Sequence, residues 1–231
     1  MVPVLRFLYT NDLHGIGDFS HLAQAREEVD LWLDGGDAVG LPRDHALRDE
    51  PAIRRLHQSG CDLMVPGNHE FLALGADPFA AAPDLPIVCA NLFRRSGTLL
   101  FPPSVILKSF AGDITVIGVT VPLLKASPRP LRRLAQLEAG FRAEFHLGDP
   151  IVAAREHVAI ARTKGETVLV LSHLGQFGDD RLARLAKPDL ILGAHTHEPA
   201  LPTTLHGIPY ARTGGGQRGE RYDWDGTNLV T

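Results

Sequence analysis

Pro66-Gly67-Asn68-His69-Glu70 follows the apolar run Asp62-Leu63-Met64-Val65, and the reading of this stretch decides how the rest of the chain is understood. Glycine lets the backbone turn sharply, so an amide oxygen, an imidazole and a carboxylate emerge together from the end of a buried strand. Alone, the same turn would serve as a capped helix start, with Asn68 as N-cap and Glu70 in the first turn. What favours chemistry over capping is the company these residues keep elsewhere in the chain.

Toward the amino terminus, Asp44 to Ser59 reads as a helix returning the chain to this strand, and Leu31-Trp32-Leu33 as a second buried strand. That strand ends in Asp34-Gly35-Gly36-Asp37, where two glycines allow close backbone approach at a carboxylate that could bridge something compact; a glycine-rich turn is the plain alternative. Ser20 to Asp30 has helical composition, with Leu22, Ala25 and Val29 at core spacing. Val4 to Tyr9 reads as a strand apolar on both faces, the pattern of a sheet covered by other layers. It ends in Thr10-Asn11-Asp12-Leu13-His14-Gly15. Asp12 and His14, two apart in an extended segment, point to one side and can chelate a metal ion, with Asp12 as a turn cap the alternative.

Toward the carboxyl terminus, Ile87-Val88-Cys89 reads as a short strand ending at Asn91, a turn residue rather than a ligand. Val105 to Phe110 and Ile114 to Val119 read as a hairpin, so the sheet is not wholly parallel. Pro122 to Gly148 carries Lys125, Arg129, Arg132 and Arg133, read as a solvated helix face in preference to a phosphate-holding rim. Ile151 to Lys164 is an amphipathic helix feeding the strand Thr167 to Leu171, which ends in Ser172-His173-Leu174-Gly175. A helix over Asp180 to Ala186 leads into Leu190-Ile191-Leu192 and then Gly193-Ala194-His195-Thr196-His197. The tail from Pro199 to Thr231 is expected to close the second sheet as hairpins.

The 231 residues favour one large domain, 1–231. A hydrophobic content of 44%, a charged content of 22% and no long apolar run leave a membrane role without support. A net charge of -4 without a basic block lacks the footprint of a nucleic-acid binder. A small anionic substrate would therefore need local positive charge, such as metal ions. Cys61 and Cys89 suit small buried hydrophobes, not a disulfide framework. The start at Met1-Val2-Pro3 runs straight into an apolar run and leaves no room for a leader, so a cytoplasmic protein is expected.

Apolar strands thus end in Asp12/His14, Asp37, Asn68/His69, His173 and His195/His197, which can lie along one sheet edge, where ligands bind in open α/β sheets. Independent turns would rarely place only hard and borderline donors at strand after strand. The absence of a thiolate from this set suits manganese, iron, zinc or cobalt rather than a closed structural zinc site.

These residues carry a resemblance. Asn11-Asp12-Leu13-His14-Gly15, Gly36-Asp37, Gly67-Asn68-His69-Glu70-Phe71, Ala90-Asn91, His173 and Gly193-Ala194-His195-Thr196-His197 make the chain similar, in order and over nearly its whole length, to the calcineurin-like metallophosphoesterases, most of all to the catalytic domain of 5'-nucleotidases. The resemblance implies two divalent ions, manganese favoured and iron, zinc or cobalt compatible. Asp12, His14, Asp37 and His197 would hold one, and Asp37, Asn68, His173 and His195 the other. Two such ions, roughly 3.5–4 Å apart, clamp phosphoryl oxygens and carry a hydroxide for in-line attack. The implied activity is hydrolysis of a small phosphate ester, a phosphomonoester such as a nucleotide, with His69 as a donor to the phosphoryl group and no covalent intermediate. A phosphodiesterase acting on cyclic nucleotides or other diesters is one alternative. A metal-stabilised binding or scaffold protein is another, and a sulfur-ester hydrolase of related fold ranks below both.

Two features depart from the family's pattern. Leu72 stands where an aspartate commonly orients the histidine, so Glu70 or a backbone carbonyl would have to fix the tautomer of His69. The sequence after His197 has no counterpart of the base-stacking domain, so base specificity is not implied. The six near-continuous apolar strand candidates and the helices between them predict an α/β fold with four layers, α/β/β/α: two mixed sheets face to face with helices outside.

Overall fold

Alternation along β1 (Leu5–Thr10) divides the molecule into layers: Leu5, Phe7 and Tyr9 pack to one side of the strand and Leu8 to the other. The fold is that of a computed structural model, which describes residues 4–15, 19–40, 52–74, 84–109, 112–121, 139–216 and 219–231, with the backbone alone for 72–74. β1 pairs in parallel with β2 (Leu31–Asp34), and β2 with β3 (Leu63–Met64). On its other side β1 meets β12 (Glu220–Trp224) antiparallel, followed by β13 (Leu229–Val230), so the first sheet runs β13-β12-β1-β2-β3.

The second sheet is also mixed. β6 (Gly112–Thr120), β8 (Thr167–His173), β9 (Leu190–Gly193) and β11 (Ile208–Arg212) are parallel neighbours, in an order flanked by the antiparallel strands β5 (Ser104–Ser109) and β10 (Ala200–Leu205). β4 (Leu92–Arg94) and β7 (Phe145–Leu147) form a separate antiparallel ribbon.

Three buried clusters show the four layers. Phe7, Tyr9, Leu33, Leu63 and Val65 of the first sheet meet Val116, Leu169, Leu171 and Leu192 of the second in the interior. Leu8, Trp32 and Met64 face outward onto Leu22 of α1 (Ser20–Arg26) and Ile53 and Leu56 of α2 (Ala52–Gln58). Ile117, Val119, Val168, Val170 and Ile191 face outward onto α4 (Pro150–Thr163) and α5 (Gln176–Leu185). α3 (Asn68–Leu74) follows β3. Each large apolar side chain contributes about 1.5–3 kcal/mol when fully buried. A one-residue slip of β1 would turn Phe7 and Tyr9 out of the interior, so burial fixes the register.

The α4 helix begins where the chain chemistry allows it. Asp149 caps it, its Oδ1 accepting from Ile151 N–H at 2.8 Å and Val152 N–H at 3.2 Å, and Pro150 stands in the first turn. Ile151, Ala154, Val158 and Ala161 form the buried stripe.

Several sequence expectations need correction. Ile87–Cys89 is not a strand: Ile87 makes one bridge to Met64, Val88 N–H donates to Met64 O, and Ala90 N–H donates to Gly118 O. The segment therefore crosses from the first sheet to the second, against a glycine whose Cβ would collide with Val88 O. The tail does not close the second sheet alone. β10 and β11 do so, whereas β12 and β13 return to β1, where Tyr222 and Trp224 join the interior and Tyr222 lies 5.6 Å from the ring of Phe7. α1 stops at Arg26, whose guanidinium donates to Val29 O at 2.9 Å and closes the turn. α5 starts at Gln176, ahead of the expected Asp180. Residues 44–51 of the expected second helix, the cluster Lys125, Arg129, Arg132 and Arg133, and the side chain of Leu72 lie outside the described residues.

Candidate metal centre

Because β1, β2 and β3 are parallel, the loops after them leave the first sheet on one edge. Backbone bonds lay the first two loops together: Asp12 N–H donates to Gly36 O at 2.8 Å, His14 N–H to Asp37 O at 2.9 Å and Gly15 N–H to Ala38 O at 2.6 Å. The segment Asn11–Gly15 is therefore not extended, as its sequence suggests. Asp12 (φ 52°), His14 (φ 51°) and Asp37 (φ 55°) are left-handed, as are His195 (φ 76°) and His197 (φ 59°). Among the described residues only Lys187 and His206 are further non-glycine residues in that region, so backbone strain gathers here. Such conformations cost on the order of 1–3 kcal/mol each and persist where the surroundings over-determine them.

Glu70 supplies that constraint. Its buried carboxylate accepts from Gly67 N–H at 2.6 Å and Asp37 N–H at 3.0 Å through Oε2, and from Val39 N–H at 3.2 Å through Oε1. Both oxygens are taken up by backbone amides, so Glu70 does not orient the His69 ring, contrary to one sequence expectation. The loops touch so closely that a Cβ on Gly36 would lie 2.5 Å from Gly67 N and one on Gly67 would collide with Asp37 Oδ1.

The second sheet brings its histidines to the same edge. His195 N–H donates to Asp12 Oδ2 at 2.9 Å, and Asn11 Nδ2 donates to the same oxygen at 2.6 Å, leaving Oδ1 turned to the other donors. His173 Nδ1 lies 2.7 Å from Gly35 O, which assigns its proton to Nδ1 and leaves Nε2 3.3 Å from Asp37 Oδ2. Donor atoms of Asp12, His14 and His197 lie within 4.8 Å of one another, and so do those of Asp37, His173 and His195. His14, Asp37 and His69 form a third such group. Asn68 is buried at the start of α3, so it is both helix start and site neighbour. Asn91 is structural: its side chain exchanges hydrogen bonds with Thr120 at 2.9 and 2.8 Å.

The electrostatics fit a cation. Burial would raise the Asp37 carboxyl, but His173 and His69 hold it well below the usual range. Burial likewise works against ionised Asp12, yet the His197 contact and the His173 charge bring it down. Burial and the His173 charge lower His195 to about 4, and burial lowers His14 as well, leaving both as neutral donors. His173 is pushed up to about 10, burial notwithstanding, by the Asp37 carboxylate, so a metal at Nε2 would displace a proton. His197 is raised by its contact with Asp12, whose Oδ1 is 3.0 Å from His197 Nε2; His14 Nε2 is also 3.0 Å from that nitrogen. Asp12 Oδ1, His14 Nε2 and His197 Nε2 thus converge on one point, where a divalent cation would fit. Asn68 Oδ1 is buried without a hydrogen-bond partner among the described residues, while buried Asp12 Oδ1 and His173 Nε2 face other candidate ligands, His197 Nε2 and Asp37 Oδ2, an arrangement that is unusual unless such atoms ligate.

His69 is set apart. Its backbone N–H donates to Asp37 Oδ1 at 2.8 Å, its Nε2 stands 3.8 Å from Asp37 Oδ2, and its buried Nδ1 has no hydrogen-bond partner among the described residues. Sequence reading missed Glu70 as a clamp. It also missed Thr213, whose N–H donates to Asn11 Oδ1 at 3.2 Å, and Gly215, where a Cβ would sit 3.1 Å from that of Asp12. The run Gly214-Gly215-Gly216 was the available signal, but a glycine run marks a turn without naming the loop it will touch.

The calcineurin-like phosphoesterase family model matches residues 5–199. No curated protein sequence matches the chain. Among solved structures, the calcineurin-like phosphoesterase YfkN from Bacillus subtilis is similar over 95% of this chain and 84% of its own, with TM-score 0.75 and 20% identity. A 5'-nucleotidase precursor from Thermus thermophilus is similar over 99% of this chain, with TM-score 0.71 and 22% identity. The sulfate thiohydrolase SoxB from Thermus thermophilus is similar over 97%, with TM-score 0.77 and 20% identity. The chain spans 53% and 55% of the last two, about half their length.

Proposed function

We propose, from the premise that this chain belongs to the calcineurin-like phosphoesterase family, that it hydrolyses small phosphomonoesters at a centre of two divalent ions. Family membership makes it a metal-dependent hydrolase of phosphate esters; the ion count, the ligand assignment and the substrate class are the proposal. Asp12, His14, Asp37 and His197 would hold one ion and Asp37, Asn68, His173 and His195 the other. The observation that carries this is the convergence of two donor groups in which buried Asp12 Oδ1 and His173 Nε2 face other candidate ligands, with Asn68 Oδ1 buried and unpartnered among the described residues.

Two such ions, with manganese favoured and iron, zinc or cobalt compatible, would supply the positive charge that phosphoryl oxygens need and acidify a water for in-line attack. The chain's own residues do the rest. Asp37 stays ionised, while His14 and His195 offer lone pairs rather than protons. Gly35 O keeps the His173 ring in the orientation that presents Nε2. His69 would give a proton or a hydrogen bond to the phosphoryl group, and its Nδ1 has no hydrogen-bond partner among the described residues to fix the tautomer.

A hydrolysis panel tests this: aryl phosphate mono- and diesters, AMP and a sulfur ester, each with manganese, iron, zinc and cobalt. Monoester turnover above diester turnover is expected, and Asp37→Asn should abolish it together with metal uptake. Diester preference would move the reading to a phosphodiesterase. Metal uptake without turnover on any ester would leave a binding protein.

A further inference from the structure

Beneath the histidines of the second sheet lies a buried polar chain that holds none of the proposed ligands. Ser172 Oγ donates to Asp179 Oδ1 at 2.5 Å, and Tyr210 Oη donates to Asp179 Oδ2 at 2.9 Å. Arg212 donates to Tyr210 Oη at 3.0 Å through an NH1 proton, and its Nε–H donates to Glu198 O. All four side chains are buried: Ser172 and Asp179 at 0% exposure, Tyr210 at 3% and Arg212 at 4%. Asp179 belongs to α5, and the others come from β8 and β11. No part of the family reading requires a carboxylate and a guanidinium joined through a tyrosine hydroxyl in this place.

The chain touches every histidine-bearing segment of that sheet. Ser172 immediately precedes His173 on β8. Gly193, two residues before His195, packs so tightly on the cluster that a Cβ would collide with Asp179 Oδ2 and lie 2.6 Å from Tyr210 Oη. On its other side Gly193 O accepts from Tyr9 Oη of the first sheet at 2.9 Å. Glu198, which Arg212 grips, immediately follows His197. The first turn of α5 completes the brace: Gln176 N–H donates to Thr196 Oγ1 at 3.1 Å, and a Cβ on Gly175 would stand 3.3 Å from His195 Cδ2.

We propose that Asp179, with Ser172, Tyr210 and Arg212, is a positioning cluster that holds His173, His195 and His197 at the spacing a divalent ion requires. This rests on the two-ion reading above. Groups that orient ligands typically change metal affinity or activity ~10–100-fold when removed. Asp179 and Ser172 act on His173 and His195, so their loss bears first on the ion held with Asn68. Arg212 reaches the other ion's ligand, His197, through Glu198.

The test is calorimetric titration of the metal-free wild type, Asp179→Asn, Tyr210→Phe and Ser172→Ala with manganese(II), together with visible spectra of the cobalt(II)-loaded proteins. In Asp179→Asn one of two binding steps should weaken ~10–100-fold while the other changes less than ~3-fold, and the cobalt bands should shift. Tyr210→Phe and Ser172→Ala should show smaller changes of the same kind, and they carry the test if Asp179→Asn does not fold. A cluster that is only scaffold would lower the melting temperature and leave both affinities and the spectrum unchanged, which overturns the inference alone. A wild type that binds fewer than two ions would overturn the two-ion reading and this inference with it.

Discussion

The two halves of the metal centre are held by different materials. In the half built on β1, β2 and β3, left-handed Asp12, His14 and Asp37 are fixed by backbone bonds between loops and by one carboxylate, Glu70, that accepts from three backbone amides. In the half built on β8, β9 and β11, the anchor is Asp179, whose partners are the hydroxyls of Ser172 and Tyr210. A hydroxyl can rotate toward a new partner, whereas a backbone amide cannot leave its loop. The first half should therefore fail as a unit, and the second should tolerate adjustment.

The strongest attempt to break this contrast is Glu70→Ala. It strands three buried amides, each costing ~1–3 kcal/mol, so a loss of about 4 kcal/mol is expected in urea denaturation of the metal-free protein. Asp179→Asn should lose about 1–2 kcal/mol in the same measurement, because its partners can reorient. Equal losses would erase the distinction between the halves.

A second substitution sharpens the contrast inside the first half. His69 is anchored there by its backbone N–H on Asp37 Oδ1, while its ring Nδ1 has no hydrogen-bond partner among the described residues. His69→Asn should therefore keep both ions and the melting temperature and lower kcat by ~10²-fold, the low end for a positioned imidazole. The loss should be larger for alkyl than for nitrophenyl phosphates, whose leaving groups need no proton. Equal losses would make His69 a clamp on the phosphoryl oxygens, and loss of metal would place it among the ligands.

The pH dependence of the second anchor tests the contrast in another way. Burial pushes Asp179 up to about 7 against its hydrogen bonds from Ser172 and Tyr210 and the nearby charges of Arg212 and His173. Its folded pKa then lies above the unfolded value of about 3.9. Between roughly pH 4 and 7 the unfolded chain releases a proton that the folded chain keeps, so this group's contribution to stability falls as pH rises through that window. Asparagine has no such dependence. The stability difference between wild type and Asp179→Asn should narrow from pH 4.5 to pH 7.5 in the metal-free proteins, and a difference that widens would refute the assignment.

Much of the architecture was legible because burial writes a period into the chain. Apolar runs such as Val168–Leu171 and Leu190–Leu192 mark strands covered on both faces, and the stripe Ile151, Ala154, Val158 and Ala161 marks the buried face of α4. Ile87–Cys89 misled because three apolar residues read alike whether they pair in a sheet or cross between two. The donors were legible for the same reason that the strands were: each stands just past an apolar run, where a parallel strand must stop. Their surroundings were not. Nothing local distinguishes the Glu70 that clamps three amides from one that would orient the His69 ring.

By itself, then, the sequence determined which donors the chain owns and that they lie at strand ends, since residue type and hydrophobic period are properties of short windows. The tertiary structure decided how those donors are aimed. Asp12 meets the backbone of His195 183 residues away, and Asp179 meets Tyr210 31 residues away. Such pairings depend on sheet order and on glycines small enough to let loops touch, and they arise only when two sheets close on a common core.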